Sequence, residues 1–274
     1  MKYYFAMSIK RLLRAPTALI FNLVYPVFIV VLDGALSGHH MVDGKSWINY
    51  NISAVIASSL IPMACIAFSM YAARQIGNGS VTRLNYFGVK TRWLMLADLL
   101  AQIVCATMGI ALAMIAGWLW FKLKAPGAGY FFAYILQIFY ALVTIMVWGQ
   151  ILGVLIRHAM GTVLVGLLTT FFLNFCSNAA SAPPVDGFPR GVKIMAECFP
   201  MSWVNYKMAA IWLGHSYWAS KFLWIAAIWL VAGLIILWFM SLVGNPFIRA
   251  MQKQKIRSMG AKRSKAETGA IAEK

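Results

Sequence analysis

Acidic residues are scarce, with 7 Asp and Glu in 274 positions. All charged residues together make up 11% of the chain. Soluble domains carry about a quarter charged residues, so a compact water-soluble fold is not expected. A disordered chain is excluded by the same composition, because disorder needs charge and few apolar residues. Cysteine is nearly absent too. Cys65, Cys105 and Cys176 lie in apolar stretches, Cys198 lies in a loop, and none forms a CxxC pair. Neither a disulfide framework nor a zinc site is indicated. Catalytic motifs are missing as well. There is no GxxxxGK[ST] phosphate loop, no GxSxG, no HExxH and no GxGxxG. The chain is not expected to be an enzyme, to carry catalytic residues or a metal, or to bind ATP through a phosphate loop of its own.

Apolar residues fill the space that charge leaves. They make up 62% of the chain, and the mean hydropathy is +0.75. A membrane-spanning helix needs about 20 mainly apolar residues. Six stretches qualify: 17–37, 51–72, 93–120, 130–156, 159–177 and 222–243. The expected fold is all-α, a polytopic membrane protein occupying 17–244 with six spans. The third and fourth stretches exceed the hydrocarbon thickness and should tilt or protrude.

The 24 Lys and Arg against 7 acids leave a net charge of +17. In a soluble protein such an excess suggests nucleic acid. Here it sets orientation, and no nucleic-acid partner is expected. Segment 1–16, segment 73–92, Arg157 and the tail 245–274 share one face if there are six spans, and together they hold 17 of the 24 cations. Cytoplasmic loops are the Lys/Arg-rich ones. Both termini are therefore expected in the cytoplasm, and the cell membrane is the expected location. Ala35-Leu36-Ser37-Gly38 loosely resembles a signal cleavage site, but the basic stretch before it is long, so cleavage is not expected.

Residues 2–14 show helical spacing, with Phe5, Ile9, Leu12 and Leu13 on one stripe and Lys10, Arg11 and Arg14 on the other side. Such a helix suits the headgroup layer, its cations near anionic lipid. Pro16 ends it. In 73–92, Gly77-Asn78-Gly79 breaks the chain leaving span 2. Ser80 can cap a short helix over 81–87 that aligns Val81, Leu84 and Phe87, and Gly88 can close it. A membrane-surface turn and a partner-binding surface both fit this segment. Loop 178–221 is too apolar to be solvated. It suits two helices, about 190–199 and 201–213, separated by Pro200. They are expected to form a re-entrant hairpin on the outer side. The basic tail 245–274 suits anionic lipid.

Polar residues in the apolar stretches are the candidates for a translocation path. Asn22, Asn51, Ser58, Ser59, Ser69, Thr169, Thr170 and Asn174 could line it or could bond helix to helix. Asp33 and Asp98 lie near span ends, and Asp98 is within reach of Arg92 or Arg157. His39, His40 and Asp43 form a polar outer loop rather than a designed metal site. Gly149-x-x-x-Gly153 allows close approach of another helix, within the chain or across a dimer.

The layout resembles the permease subunit of an ABC-2 type exporter. The features that carry the resemblance are the basic amphipathic helix before six spans, Arg74-Gln75-Ile76-Gly77 through Leu84 after span 2, and the hairpin marked by Phe188-Pro189 and Phe199-Pro200. Where members usually have a Pro after the coupling Leu, this chain has Gly88-Val89. The resemblance implies that Ile76, Val81, Arg83, Leu84 and Phe87 couple to an ABC ATPase subunit. ATP and magnesium would sit on that partner and no cofactor on this chain. It also implies a second permease chain, identical or related, in the lipid bilayer. The substrate path would pass Asn22, Asp33, Ser58, Ser59 and Thr170. The expected cargo is an amphipathic or hydrophobic compound, such as a drug, antibiotic, peptide or lipid. The alternatives are an ion-coupled carrier or channel, or ABC export of a polysaccharide.

Overall fold

The computed structural model describes residues 2–36, 41–42, 45–177 and 190–241. Residues 1–234 form one compact body; 235–274 group separately, and of these only the last turns of a helix are described. The amphipathic helix α1 covers Lys2–Leu13. The first span, α2, covers Pro16–Leu36, and the second, α3, covers Ile48–Gly77. A short helix, α4, covers Ser80–Tyr86. The next spans are α5, Thr91–Phe121, α6, Ala128–Ile156, and α7, Ala159–Ser177. Two shorter helices, α8 (Arg190–Cys198) and α9 (Pro200–Trp212), precede α10, Ser220–Ser241. Six of these helices are long and apolar enough to cross a membrane, and the fold is that of an all-α polytopic membrane protein. The one departure among the described residues is a two-residue antiparallel ladder pairing Met41 with Ser46 and Val42 with Lys45.

Helix starts follow the prolines. Pro16 opens α2 and Pro200 opens α9, where the missing N–H costs nothing. Inside α2 and α3 the prolines act differently. Pro26 cannot bond the Asn22 carbonyl, and the turn Ile20–Val24 before it widens to a π-helix. Pro62 directly precedes a second π stretch, Met63–Phe68. Neighbouring glycines approach the carbonyls of this widened backbone. A Cβ on Gly109 of α5 would collide with the Asn22 carbonyl, one on Gly149 of α6 with Ala64, and one on Gly166 of α7 with Cys65. Gly153 likewise meets the Ser69 carbonyl. The small-residue motif of α6 therefore packs within the chain.

α3 is the centre of the body. α6, α7, α9 and α2 pack around it, and α5 packs on α2 and α1. α9 buries Met201, Val204, Met208 and Ile211. The joint between α8 and α9 reaches the middle of α10, where the indole N–H of Trp229 donates to the Cys198 carbonyl at 2.9 Å. His39, His40, Asp43, Pro183, Pro184, Phe188-Pro189 and the tail 245–274 lie outside the described residues.

Candidate functional site

The end of α3 and the start of α5 are tied to α1 by one guanidinium. Arg11 donates to Asp98 on α5 at 3.1 Å, to Gln75 on α3 at 3.0 Å and to Ser8 on its own helix at 3.1 Å. The Tyr71 hydroxyl donates to the same carboxylate oxygen at 3.4 Å. Asp98 therefore pairs with Arg11 and not with Arg92 or Arg157. The buried face of α1 is correspondingly rotated from the expected stripe. Ser8 and Leu12 are buried, Arg11 points inward, and Leu13 is exposed. Lys10 and Arg14 keep the outward, basic side. A buried pair adds little net stability, but removing one partner strands the other charge.

Next to this cluster the chain leaves α3 through Gly77, where a Cβ would come 2.9 Å from the Arg157 carbonyl in the turn between α6 and α7. Gly79 takes a φ of 70° and Gly88 one of 80°, the left-handed region glycine enters without strain. The Gly79 carbonyl accepts from the Arg83 N–H at 2.9 Å, so Gly79 rather than Ser80 occupies the cap position. At the other end the N–H groups of Phe87 and Val89 both donate to the Leu84 carbonyl at 3.1 Å, and Gly88 closes the helix as expected.

The register of α4 separates its residues into two groups. Val81 is 5% exposed and anchors the helix to the body, while Ile76 and Leu84 are half-buried. Arg83 is exposed, and Phe87 is 85% exposed. Tyr86, 75% exposed, joins them, although no sequence pattern singled it out. Lys90 and Arg92 are also exposed, and the Arg92 guanidinium lies 5.6 Å from the Trp93 ring centroid. The protruding surface is thus basic and aromatic.

Of the polar residues expected along a path, some bond within the body and others are buried without a partner among the described residues. Ser58 and Ser59 both donate to the Val55 carbonyl at 2.8 Å. One Asp33 oxygen accepts from Asn51 at 2.8 Å. Asn22 and Thr170 are buried, and their side-chain polar atoms have no partner among the described residues. A cavity of about 260 Å³ lies elsewhere, lined by Cys65 of the π stretch, Thr144, Thr169 and the rings of Trp148, Phe172, Phe199 and Trp229. Phe199 brings the α8–α9 joint into its wall, 5.2 Å from Trp229 by ring centroids. Apart from Thr169 and Phe199, these residues gave no pattern in sequence, because they come from four helices and one joint. Among the described residues no cluster of three His, Cys, Asp or Glu could hold a metal. The outer loop of His39, His40 and Asp43 is outside that set.

Comparison with known families gives one match: the model described as ABC-2 type transporter aligns with residues 1–211. That range runs from α1 through nearly all of α9 and includes the Arg11 cluster, α4 and the first five spans. No curated protein matches the chain.

Proposed function

The chain belongs to the ABC-2 type transporter family, and on that premise we propose that it carries an amphipathic or hydrophobic substrate out of the cytoplasm by alternating access. Family membership makes it a membrane-spanning permease subunit of an ABC transporter, a transport component rather than a catalyst. In our reading, hydrolysis takes place on a separate ATPase subunit, with ATP and magnesium bound there. The partner's ATP-bound, closed form favours one arrangement of the spans, and that difference in affinity drives the cycle.

The observation that carries this reading is the exposed end of α4 beside the Arg11 cluster. Arg83, Tyr86 and Phe87 protrude, Ile76 and Leu84 flank them, and Val81 pins the helix to the body. α4 packs on the end of α3 and on α5, and Arg11 of α1 ties those two helices together through Gln75 and Asp98. We assign ATPase docking to this surface and place both termini in the cytoplasm at the plasma membrane. We also infer pairing with a second permease chain, identical or related. Exposed stripes support this: Val24, Phe28 and Leu32 on α2, and Leu164, Leu168 and Phe171 on α7. Asn22, Asp33, Ser58, Ser59 and Thr170 remain our path residues. The small aromatic-walled cavity fits a closed stage, since sites for drug-sized molecules take about 300 Å³ or more. The α8–α9 joint is in our reading the tip of a re-entrant hairpin. Asp98 is paired with Arg11 and one oxygen of Asp33 accepts from Asn51, which speaks against an ion-coupled carrier.

The reading is tested by reconstituting the chain with its ATPase in vesicles. Uptake of an amphipathic dye should require ATP hydrolysis; transport by the chain alone on an ion gradient would overturn it. Docking is tested with Phe87→Asp. This variant should insert normally and lose about tenfold or more in ATPase association, as a truncated interface anchor does. Unchanged co-purification would remove α4 from the interface.

A further inference from the structure

A second cavity lies on the other side of the body, at the end of α5 far from the Arg11 cluster. It is a cleft of about 420 Å³ between α5 and α6, with Trp212 of α9 in its wall. Its lining runs from Thr107 to Trp118 on α5 and from Phe131 to Leu142 on α6. Each run is eleven residue steps, about 16 Å at helical rise. One bilayer leaflet has about 15 Å of hydrocarbon, half of the usual 30 Å. The cleft is therefore one leaflet deep. Ile115, Trp118 and Phe139 in its lining are exposed on the flank of the body, so it opens sideways where lipid would be.

Its chemistry is uneven along its length. The hydroxyl of Thr107, at the deep end, is spent on the Ile103 carbonyl at 2.8 Å, which leaves that end apolar in function. The loop 122–127 closes the other end. Leu123 is buried and lines the cleft, while Lys122 and Lys124 on either side of it are exposed. The backbone N–H of Lys124 is fastened to Asn49 of α3 at 2.8 Å. No acid occurs between residues 99 and 185 to neutralise these lysines from the same two spans or their loop. Trp212 is buried, and its indole N–H has no partner among the described residues. Buried indole N–H groups ordinarily find an acceptor.

We propose that this cleft binds one anionic phospholipid from the leaflet facing loop 122–127. An acyl chain fills the apolar length. The glycerol ester offers an acceptor to the Trp212 N–H. The phosphate, whose negative charge no headgroup cation cancels, lies beside Lys122 and Lys124, where juxtamembrane cations attract anionic lipid. The occupant is a resident lipid of the bilayer and not the transported cargo, so the inference needs only that the helices span a membrane.

The test uses the full chain purified in mild detergent and offered equal amounts of phosphatidylglycerol and phosphatidylcholine with matched chains. Retained lipid is counted by native mass spectrometry. One phosphatidylglycerol per chain is expected, favoured about tenfold over phosphatidylcholine. Ala111→Phe fills the cleft from an exposed position and should lower retention at least fivefold. Lys122→Gln with Lys124→Gln, on an exposed loop remote from the core, should abolish the headgroup preference while leaving a bound lipid. Equal retention of the two lipids by the native chain overturns the proposal, as does undiminished phosphatidylglycerol on a folded Ala111→Phe chain. If Ala111→Phe does not fold, the lysine pair decides alone: an intact preference overturns the site.

Discussion

α2 and α3 are equally apolar, yet they sit in opposite surroundings. Of an 18-residue stretch in each, 22% of α2 is buried against 94% of α3. In water the more apolar helix takes the core. In a bilayer the lipid tails are as apolar as leucine, so hydrophobicity does not select the central helix. Small residues do. α3 carries Ser53, Ala57, Ala64, Ala67, Ser69 and Ala73, all buried. Glycines of α6 and α7 close on its backbone at Ala64, Cys65 and Ser69. α2 has one comparable contact, Gly109 against Asn22, and otherwise shows Val24, Phe28, Leu32 and Leu36 on an open side four residues apart.

The sharpest way to break this contrast is to add a side chain where two backbones meet. Gly149→Val would push a branched side chain against the Ala64 carbonyl, which no rotamer change can move aside. Overpacking of this kind costs about 3 kcal/mol or more. The expected outcome is a large loss of monodisperse protein in thermal gel filtration. If Gly149→Val behaves like a lipid-facing substitution, α3 is not the packed centre.

The next effect concerns how the end of α3 is held. Asp98→Ala leaves Arg11 without its carboxylate, although Arg11 keeps Gln75 and is 23% exposed, so its charge can still reach water. The cost should lie near the low end for a broken buried pair, about 3 kcal/mol. Arg11→Leu combined with Asp98→Leu should recover most of it, since paired removal leaves no stranded charge. Chemical unfolding of the native chain, Asp98→Ala and the double variant checks this. No recovery in the double variant would show that the cluster is held by something other than the ion pair.

These contrasts mark how far the sequence could be read. Six apolar runs were legible because crossing a bilayer is a matter of length and composition, and both are local. The short helices were legible too, through Gly77, Gly79, Gly88 and Pro200, with an error of about one residue at Ser80. Burial was not legible, because α2 and α3 differ in neighbours rather than in hydropathy. The partner of Asp98 was missed for the same reason. Arg92 and Arg157 were plausible by position at the same end of the spans, but Arg11, 87 residues away, was delivered by the packing of α1 on α5. The inward turn of Arg11 also reversed part of the α1 pattern, since a polar residue on the buried face disguises the stripe. Ser58 and Ser59 look like lining residues in one dimension, yet their hydroxyls return to Val55 in their own helix, a local bond that competes with any outside partner.

The smallest expected stability effect is at the open side of α2, and it is the most informative about assembly. Phe28→Ala removes an exposed ring that contributes little to the fold of a single chain, so the cost in isolated subunits should be about 0.5 kcal/mol or less. The same ring is an anchor if the stripe meets a second permease chain, where truncating a buried aromatic costs about 2 kcal/mol or more of association. The two quantities can be measured on one sample. Thermal unfolding of the monomer reports the first, and the dilution at which purified dimers dissociate reports the second. A dimer that weakens while the monomer holds would place the second chain on α2, turning its low burial into evidence of an interface. A dimer insensitive to Phe28→Ala would leave α2 to the lipid and move the pairing surface to the matching stripe of α7.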